Sequence, residues 1–143
     1  MKNVLLPIDG SECAMRSVAL VISKLSHYRS PENTQIHLVN IQPPLPHDVS
    51  RFVSHDQIAD FHRDESDKAM QEARKRLDAA GLKYTCHAKV GDVAEEITLL
   101  AENLGCDQIV MGTHGRGALG DFLMGSITLK VLHLAKIPVL LVK

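Results

Sequence analysis

Two kinds of hydrophobic pattern alternate along the 143-residue chain. Short apolar runs, bounded by glycine, proline or polar residues, are typical of buried strands; they occupy residues 4–8, 35–41, 82–90, 107–112 and 138–142. Between these runs, apolar residues recur every three or four positions, which is the spacing of an amphipathic helix. The pattern therefore predicts the order β-α-β-α-β-α-β-α-β.

The second predicted helix, from Gln57 to about Gly81, contains a long polar interval between Phe61 and Met70. We expect this interval to face solvent. Its carboxylates and histidine could suggest a metal site, but adjacent helical residues point in different directions, so a solvated face is the preferred interpretation. The preceding residues 42–55 have three prolines and no clear period, which predicts a long loop suited to a lid or a partner surface.

Polar residues mark where the other helices are expected to begin. Ser11 is predicted to cap the first helix. Asp92, three residues before Glu95, is predicted to cap the third in a structural rather than a catalytic role. Ser126, which follows Gly125, is predicted to cap the last.

This order of elements predicts an α/β fold: a three-layer, doubly wound, parallel five-stranded sheet with right-handed crossovers. Such sheets bind ligands beyond the carboxyl ends of their strands, at the point where the strand order reverses. The length fits one domain covering residues 1–143.

Composition narrows the class of protein. Hydrophobic residues make up 45% of the chain, charged residues 23%, and the net charge is −1, so we expect a globular protein with no nucleic-acid partner. No apolar stretch approaches the length of a membrane span, and we expect a cytoplasmic protein without membrane insertion. The three cysteines indicate reduced thiols; Cys13 is read as a small buried side chain, with redox sensing as the alternative.

The segment GTHGRGALGDFLMGS, residues 112–126, carries the candidate chemistry. A glycine-rich loop between a buried strand and a helix N-terminus presents unpaired N–H groups, an environment suited to phosphate. A mobile surface loop with Ser126 as a simple cap remains the alternative. No P-loop motif is present, and the G-x-G-x-x-G match at residues 115–120 follows the fourth strand rather than the first, so it does not indicate a dinucleotide site.

The spacing Gly112-x2-Gly115-x9-Gly125-Ser126 resembles the ATP-binding signature of the universal stress protein family. VLLPIDGSE near the start, DQIVMGTHGRG and the terminal PVLLV agree with it, so the resemblance covers the whole chain. It implies strand order 3-2-1-4-5 in an adenine nucleotide α-hydrolase-like fold. It also implies a stress-response regulatory protein that binds ATP or another adenine nucleotide, and a homodimer formed through Ile137 to Val142 that signals to a regulatory protein partner.

The resemblance implies roles for individual residues. Asp9 would reach the nucleotide directly or through Mg²⁺, and Ile41 would lie beside adenine. Residues of the fourth strand and the glycine segment would surround ribose and phosphates, and the start of the last helix would bind the phosphate chain. The implied site comprises Pro7, Ile8, Asp9, Ile41, Met111, Gly112, Gly115, Arg116, Gly125, Ser126, Ile127 and Thr128.

Alternatives stay open at several of these positions. Asp9 can be only a turn-former, Ile41 plain core, and Arg116 an exposed charge. Asn40 stands where the family often has His, and Asp121 adds a carboxylate that would weaken phosphate binding unless Mg²⁺ intervenes or it points outward.

Two other functions remain open from the sequence. One is a weak ATP hydrolase or nucleotidyl-transfer enzyme, which needs a base near the reacting atom; His114 is the one candidate, and it is read instead as orienting the loop or facing solvent. The other is an interaction module of the same fold that binds no nucleotide.

Overall fold

A computed structural model describes residues 1–115 and 124–143 of the chain. Five parallel strands form one sheet in the order β3-β2-β1-β4-β5, which confirms the predicted topology. The strands are β1 (Asn3–Pro7), β2 (Gln35–Gln42), β3 (Thr85–Val90), β4 (Gln108–Gly112) and β5 (Val139–Val142). The helices are α1 (Glu12–Leu25), α2 (His47–Ser50), α3 (His55–Ala79), α4 (Val93–Asn103) and α5 (Ser126–Leu134).

The sheet is covered on both faces, which is why its central strands read as continuous apolar runs. On one face, Val4 and Leu6 of β1 pack against α1 and α3. On the other, Leu5 of β1 and Val39 and Ile41 of β2 pack against α4 and α5. Successive residues of a strand point to opposite faces, so the three buried positions of β1, Val4 to Leu6, are all apolar.

The boundaries of several predicted elements differ from those in the structure. The segment 42–55 is not a plain loop, because it contains α2 and the start of α3. β3 begins at Thr85 rather than residue 82, and β5 begins at Val139 rather than residue 138. No helix within the described ranges is long and apolar enough to cross a membrane.

The prediction that the middle of α3 faces solvent is wrong on one side of the helix. His62 is 8% exposed and Ser66 2%, whereas Phe61 is 47% exposed. Steps of four residues back from the buried Met70 lead to Ser66 and then His62, so this polar stripe faces the sheet and Phe61 turns outward. Among the described residues, no three His, Cys, Asp or Glu side chains form a group that could hold a metal ion.

Two predicted helix caps are present and one is wrong. The Ser11 hydroxyl accepts a bond from the Ala14 N–H (3.2 Å), and the Asp92 carboxylate accepts one from the Glu95 N–H (3.1 Å). The N-cap of α5 is Gly125, and Ser126 is its first helical residue. The hydroxyl of Ser126 is therefore not a cap, and its side chain is exposed.

Candidate functional site

A cleft of about 570 Å³ opens at the carboxyl ends of β1, β2 and β4. β1 lies between β2 and β4 in the sheet, so the cleft is at the point where the strand order reverses, the usual ligand position in such folds. Its volume is within the roughly 300–1,000 Å³ of common ligand sites. Arg116 and Asp121 lie outside the described residues; the predicted site residues that line the cleft are Pro7, Ile8, Asp9, Ile41, Met111, Gly112, Gly115, Gly125, Ser126, Ile127 and Thr128.

Sequence reasoning assigned no binding role to the rest of the cleft lining, which is supplied by the starts of α1 and α4, by both flanks of Ile41 and by one residue beyond β4. A signal was present for α4, because its predicted N-terminus follows the third strand and must reach the same edge of the sheet. The additional lining residues are Ser11, Ala14, Val39, Asn40, Pro43, Val93, Ile97 and His114.

Asp9 lies directly beyond β1 and faces Gly115 across the cleft. One carboxylate oxygen, Oδ1, accepts a hydrogen bond from the Ser11 N–H at 2.9 Å, which holds the turn into α1. The other, Oδ2, would lie 2.7 Å from a Cβ added to Gly115. Asp9 therefore forms a turn, as in the alternative interpretation, and its carboxylate would have to move to admit a side chain at position 115.

Gly112, at the end of β4, is required by packing. A Cβ at this position would lie 2.5 Å from the Cβ of Cys13 and 2.9 Å from its carbonyl carbon. The first turn of α1 thus rests against the backbone of β4. The glycine that begins the signature lets α1 approach the sheet, and this approach brings Ser11 and Ala14 to the cleft.

Hydrogen bonds hold the N-terminus of α5 against the end of β4. The Gly125 N–H donates to the Thr113 carbonyl (2.9 Å), and the buried Thr128 hydroxyl bridges the carbonyls of Gly112 (3.3 Å) and Thr113 (3.2 Å). The first-turn N–H groups of a helix have no intrahelical acceptors, and they carry the positive end of its dipole. Ser126 and Ile127 of this first turn belong to the cleft lining.

The electrostatic character of this region comes mainly from backbone. No lysine or arginine of the described ranges lines the cleft, and Asp9 supplies a carboxylate. The positive contribution near the described lining therefore comes from the N-termini of α1, α4 and α5, which all reach the cleft. His114 adds an imidazole whose Nδ1 lies 2.9 Å from the Thr113 hydroxyl, while its Nε2 is shut off from solvent.

The backbone of Ile41 presents an unused donor and acceptor to the fork between β1 and β2. In β2, the Val39 carbonyl accepts from the Ile8 N–H (2.8 Å) and the Gln42 carbonyl from the Gly91 N–H (3.0 Å). Backbone groups alternate between the two neighbouring strands, so those of Ile41 face β1. Pairing with β1 ends at Val39, and within residues 1–115 and 124–143 neither Ile41 group has a backbone partner.

The remaining wall is apolar. Val39 and Ile41 come from β2, Val93 and Ile97 from α4, and Met111 from β4. Apolar walls with a few fixed polar groups are the usual composition of small-molecule sites.

A family comparison agrees with this geometry: the model of the universal stress protein family matches residues 1–143. The chain belongs to the universal stress protein family. A relative, universal stress protein MJ0531 of Methanocaldococcus jannaschii, is 30% identical over 144 residues, covering 99% of this chain and 82% of the relative.

Solved structures of this family have the same fold. The structure of MJ0577 from M. jannaschii superposes with a TM-score of 0.82 at 30% identity, covering 99% of this chain and 95% of that one. The Arabidopsis thaliana family member At3g01520, solved with AMP bound, superposes with a TM-score of 0.66 at 17% identity, covering 100% and 92%.

Proposed function

We propose that this universal stress protein binds an adenine nucleotide, ATP foremost, in the cleft and acts as a homodimeric, cytoplasmic stress-response regulator. The observation that carries the proposal is that one cleft contains both the free backbone edge of Ile41 and the N-terminus of α5. The first suits a base and the second a phosphate chain. The bound AMP of the Arabidopsis family member supports the same ligand class.

The Ile41 edge favours adenine over guanine. Its N–H can donate to N1 of adenine, and its carbonyl can accept from the N6 amino group. Guanine and hypoxanthine carry a hydrogen on N1 and an oxygen at C6, so they meet the same edge with donor facing donor and acceptor facing acceptor. The apolar side chains of Val39 and Val93 would contact the faces of the base.

The phosphate chain would lie at Gly125, Ser126 and Ile127, where the first-turn N–H groups of α5 and the helix dipole favour negative charge. The Thr128 hydroxyl already donates to β4, so its contribution would come through the backbone. Asp9 fits Mg²⁺, which is commonly held by one or two carboxylates together with substrate phosphates and water. The metal would neutralise phosphate charge beside that carboxylate.

The free edge of β5 supports a homodimer. β5 is the last strand of the sheet, and its four residues are only half-buried. The Val142 carbonyl accepts from Thr113 (3.0 Å) and the Pro138 carbonyl from Ile109 (3.0 Å), so the backbone groups of Val139 and Leu141 point away from β4. Pairing with a second copy would cover this apolar edge.

A charge placed at the start of α5 tests nucleotide binding separately from stability. Ser126→Glu puts a carboxylate where a helix tolerates it, so the unliganded protein should unfold at an unchanged or slightly higher temperature. The same charge repels phosphate. ATP with Mg²⁺ at 100 times Kd should raise the Tm of the unmodified protein by roughly 5–10 °C, and Ser126→Glu should lose this shift.

The matched control is Gln57→Glu, which adds the same charge to the first turn of α3, at a residue outside the cleft lining. It should keep the full ATP shift. No shift in the unmodified protein would contradict nucleotide binding, and a full shift in Ser126→Glu would contradict the position of the phosphates.

A further inference from the structure

Asn40 forms the centre of a buried polar cluster at the fork between β1 and β2. Its side-chain Nδ2 donates to the Ile8 carbonyl at 2.7 Å. Its Oδ1 accepts from the Ser66 hydroxyl (2.8 Å) and from Gln42 Nε2 (2.8 Å). Asn40 is 3% exposed and Ser66 2%, so the bonds to Ile8 and Ser66 are buried, while the bond to Gln42 is partly buried.

The amide of Asn40 can take only one orientation in this cluster. The Ile8 carbonyl can only accept, so the NH₂ group must face it. Ser66 and Gln42 then both donate to the amide oxygen. Turning the amide over would place the Asn40 oxygen against the Ile8 carbonyl, two acceptors with no hydrogen between them, which is costly in a protein interior. The Ile8 carbonyl thus fixes the direction in which Asn40 donates, and Ser66 of α3 and Gln42 hold the amide oxygen in place.

The Asn40 bond replaces a rung of the sheet. Val39 pairs with β1 through the Ile8 N–H, so the next rung of a parallel ladder would join the Ile41 N–H to the Ile8 carbonyl. That bond is absent, and the Ile8 carbonyl accepts from Asn40 instead. The strands part at this point, and the cleft begins there.

We propose that Asn40, locked by Ser66, is a positioning residue that ends β1–β2 pairing and so keeps the Ile41 N–H open for the base of the ligand. This inference rests on the proposed nucleotide site for its functional meaning. The open rung itself is a property of the unliganded protein. Experiments can therefore contradict the role of Asn40 and the proposed nucleotide site separately.

The first test measures hydrogen exchange of the Ile41 amide by NMR without ligand. Asn40→Asp keeps the side-chain shape but replaces the donor with an acceptor, which releases the Ile8 carbonyl to Ile41. The Ile41 amide should exchange rapidly in the unmodified protein and about tenfold or more slowly in Asn40→Asp. An Ile41 amide already protected in the unmodified protein, or equally fast in the variant, would overturn the inference.

Ser66→Ala provides a second variant in case Asn40→Asp does not fold. It removes one of the two donors that hold the amide oxygen, so Ile41 protection should rise in the same direction by a smaller factor. The matched control is Ser17→Ala, a serine of α1 that is 0% exposed and donates to the Cys13 carbonyl (3.2 Å). It should leave the exchange rate of the Ile41 amide unchanged. The same unchanged rate in Ser66→Ala would show that the Ser66 hydrogen bond does not position Asn40.

The second test measures base selectivity by calorimetry. Asn40→Asp should lose roughly 10- to 100-fold in affinity for ATP, the range expected for losing hydrogen bonds to the base, and its preference for ATP over GTP should fall towards one. Affinity for inorganic tripolyphosphate, which lacks the base, should fall by a smaller factor than affinity for ATP. A stable Asn40→Asp protein with unchanged selectivity would overturn the positioning role. Absence of ATP binding in the unmodified protein would instead contradict the proposed function.

Discussion

Gly112 of β4 and Cys13 of α1 are in such close contact that no side chain fits between them: a Cβ on Gly112 would lie 2.5 Å from the Cβ of Cys13. This contact couples a glycine of the family signature to the position of α1. The first residue of that signature therefore has a packing role in addition to lining the cleft.

Gly112→Ala should destabilise the protein by about 1–3 kcal/mol, the usual cost of overpacking a well-filled site. Cys13→Ala should not rescue it, because the added methyl also meets the Cys13 carbonyl carbon at 2.9 Å and the Ala14 nitrogen at 3.2 Å. Urea unfolding of both single variants and the double variant measures this. Equal stability of Gly112→Ala and the unmodified protein would refute the close packing.

His37 and His87 should make stability decrease in mild acid. His37 Nδ1 lies 3.1 Å from His87 Nε2, and the pKa of each imidazole is below its ordinary value of 6.5. Burial is the main cause in both; His87 contributes further for His37, and Lys89 for His87. As the pH falls, these histidines therefore bind protons in the unfolded chain at a higher pH than in the folded protein. The free energy of unfolding is fully retained above pH 6.5 and decreases as the pH drops below that value.

Urea unfolding between pH 8 and about pH 5 measures this dependence. His87→Gln should flatten it, because it removes one of the paired imidazoles. His133→Gln, at an exposed position in the last turn of α5, is the control and should follow the unmodified protein. Parallel curves for His87→Gln and the unmodified protein would show that the pair does not govern the acid response.

His62→Leu should stabilise the protein by about 1 kcal/mol. His62 is 8% exposed, and its Nδ1 has no hydrogen-bond partner within the described residues. A leucine of similar size removes a polar atom that has lost its contact with water and makes no hydrogen bond to compensate. The measurement is the urea midpoint, with Phe61→Leu on the exposed side of α3 as the control. A destabilised His62→Leu protein would indicate that Nδ1 makes a stabilising hydrogen bond.

Leu141→Pro should dissociate the proposed homodimer. The backbone N–H of Leu141 points to the free edge of β5, so proline removes an intersubunit donor without removing a bond to β4. Leu141→Ala loses a comparable part of the side chain and keeps the N–H, so it should remain dimeric. Sedimentation velocity distinguishes the two. A dimeric Leu141→Pro protein would place the interface elsewhere.

The strands and their parallel arrangement were predictable because a doubly covered sheet leaves a continuous apolar run in each central strand, as in Val4 to Leu6. The strand order came from the family resemblance and was confirmed. The buried side of α3 was not predictable, because a stripe formed by His62 and Ser66 reads as solvent-facing until the contact between Ser66 and Asn40 is known.

For the candidate site, the signature pointed to Gly112, Gly115 and Gly125, and these glycines line one cleft. It could not show what surrounds them, since the neighbours of Gly112 and Gly115 are Cys13 and Asp9, nearly a hundred or more positions away in the sequence. The sequence also could not predict that the Ile41 backbone groups lie beyond the paired part of β2, because that depends on where β1 stops pairing with β2.

The most direct test of adenine-nucleotide binding is a calorimetric titration of the unmodified protein with ATP and, separately, GTP, both with Mg²⁺. One ATP should bind per chain, and GTP should bind at least about tenfold more weakly, because its base presents the opposite hydrogen-bonding pattern to Ile41. Equal affinity for the two nucleotides, or no heat of binding at millimolar ATP, would contradict the assignment of the cleft as an adenine-nucleotide site.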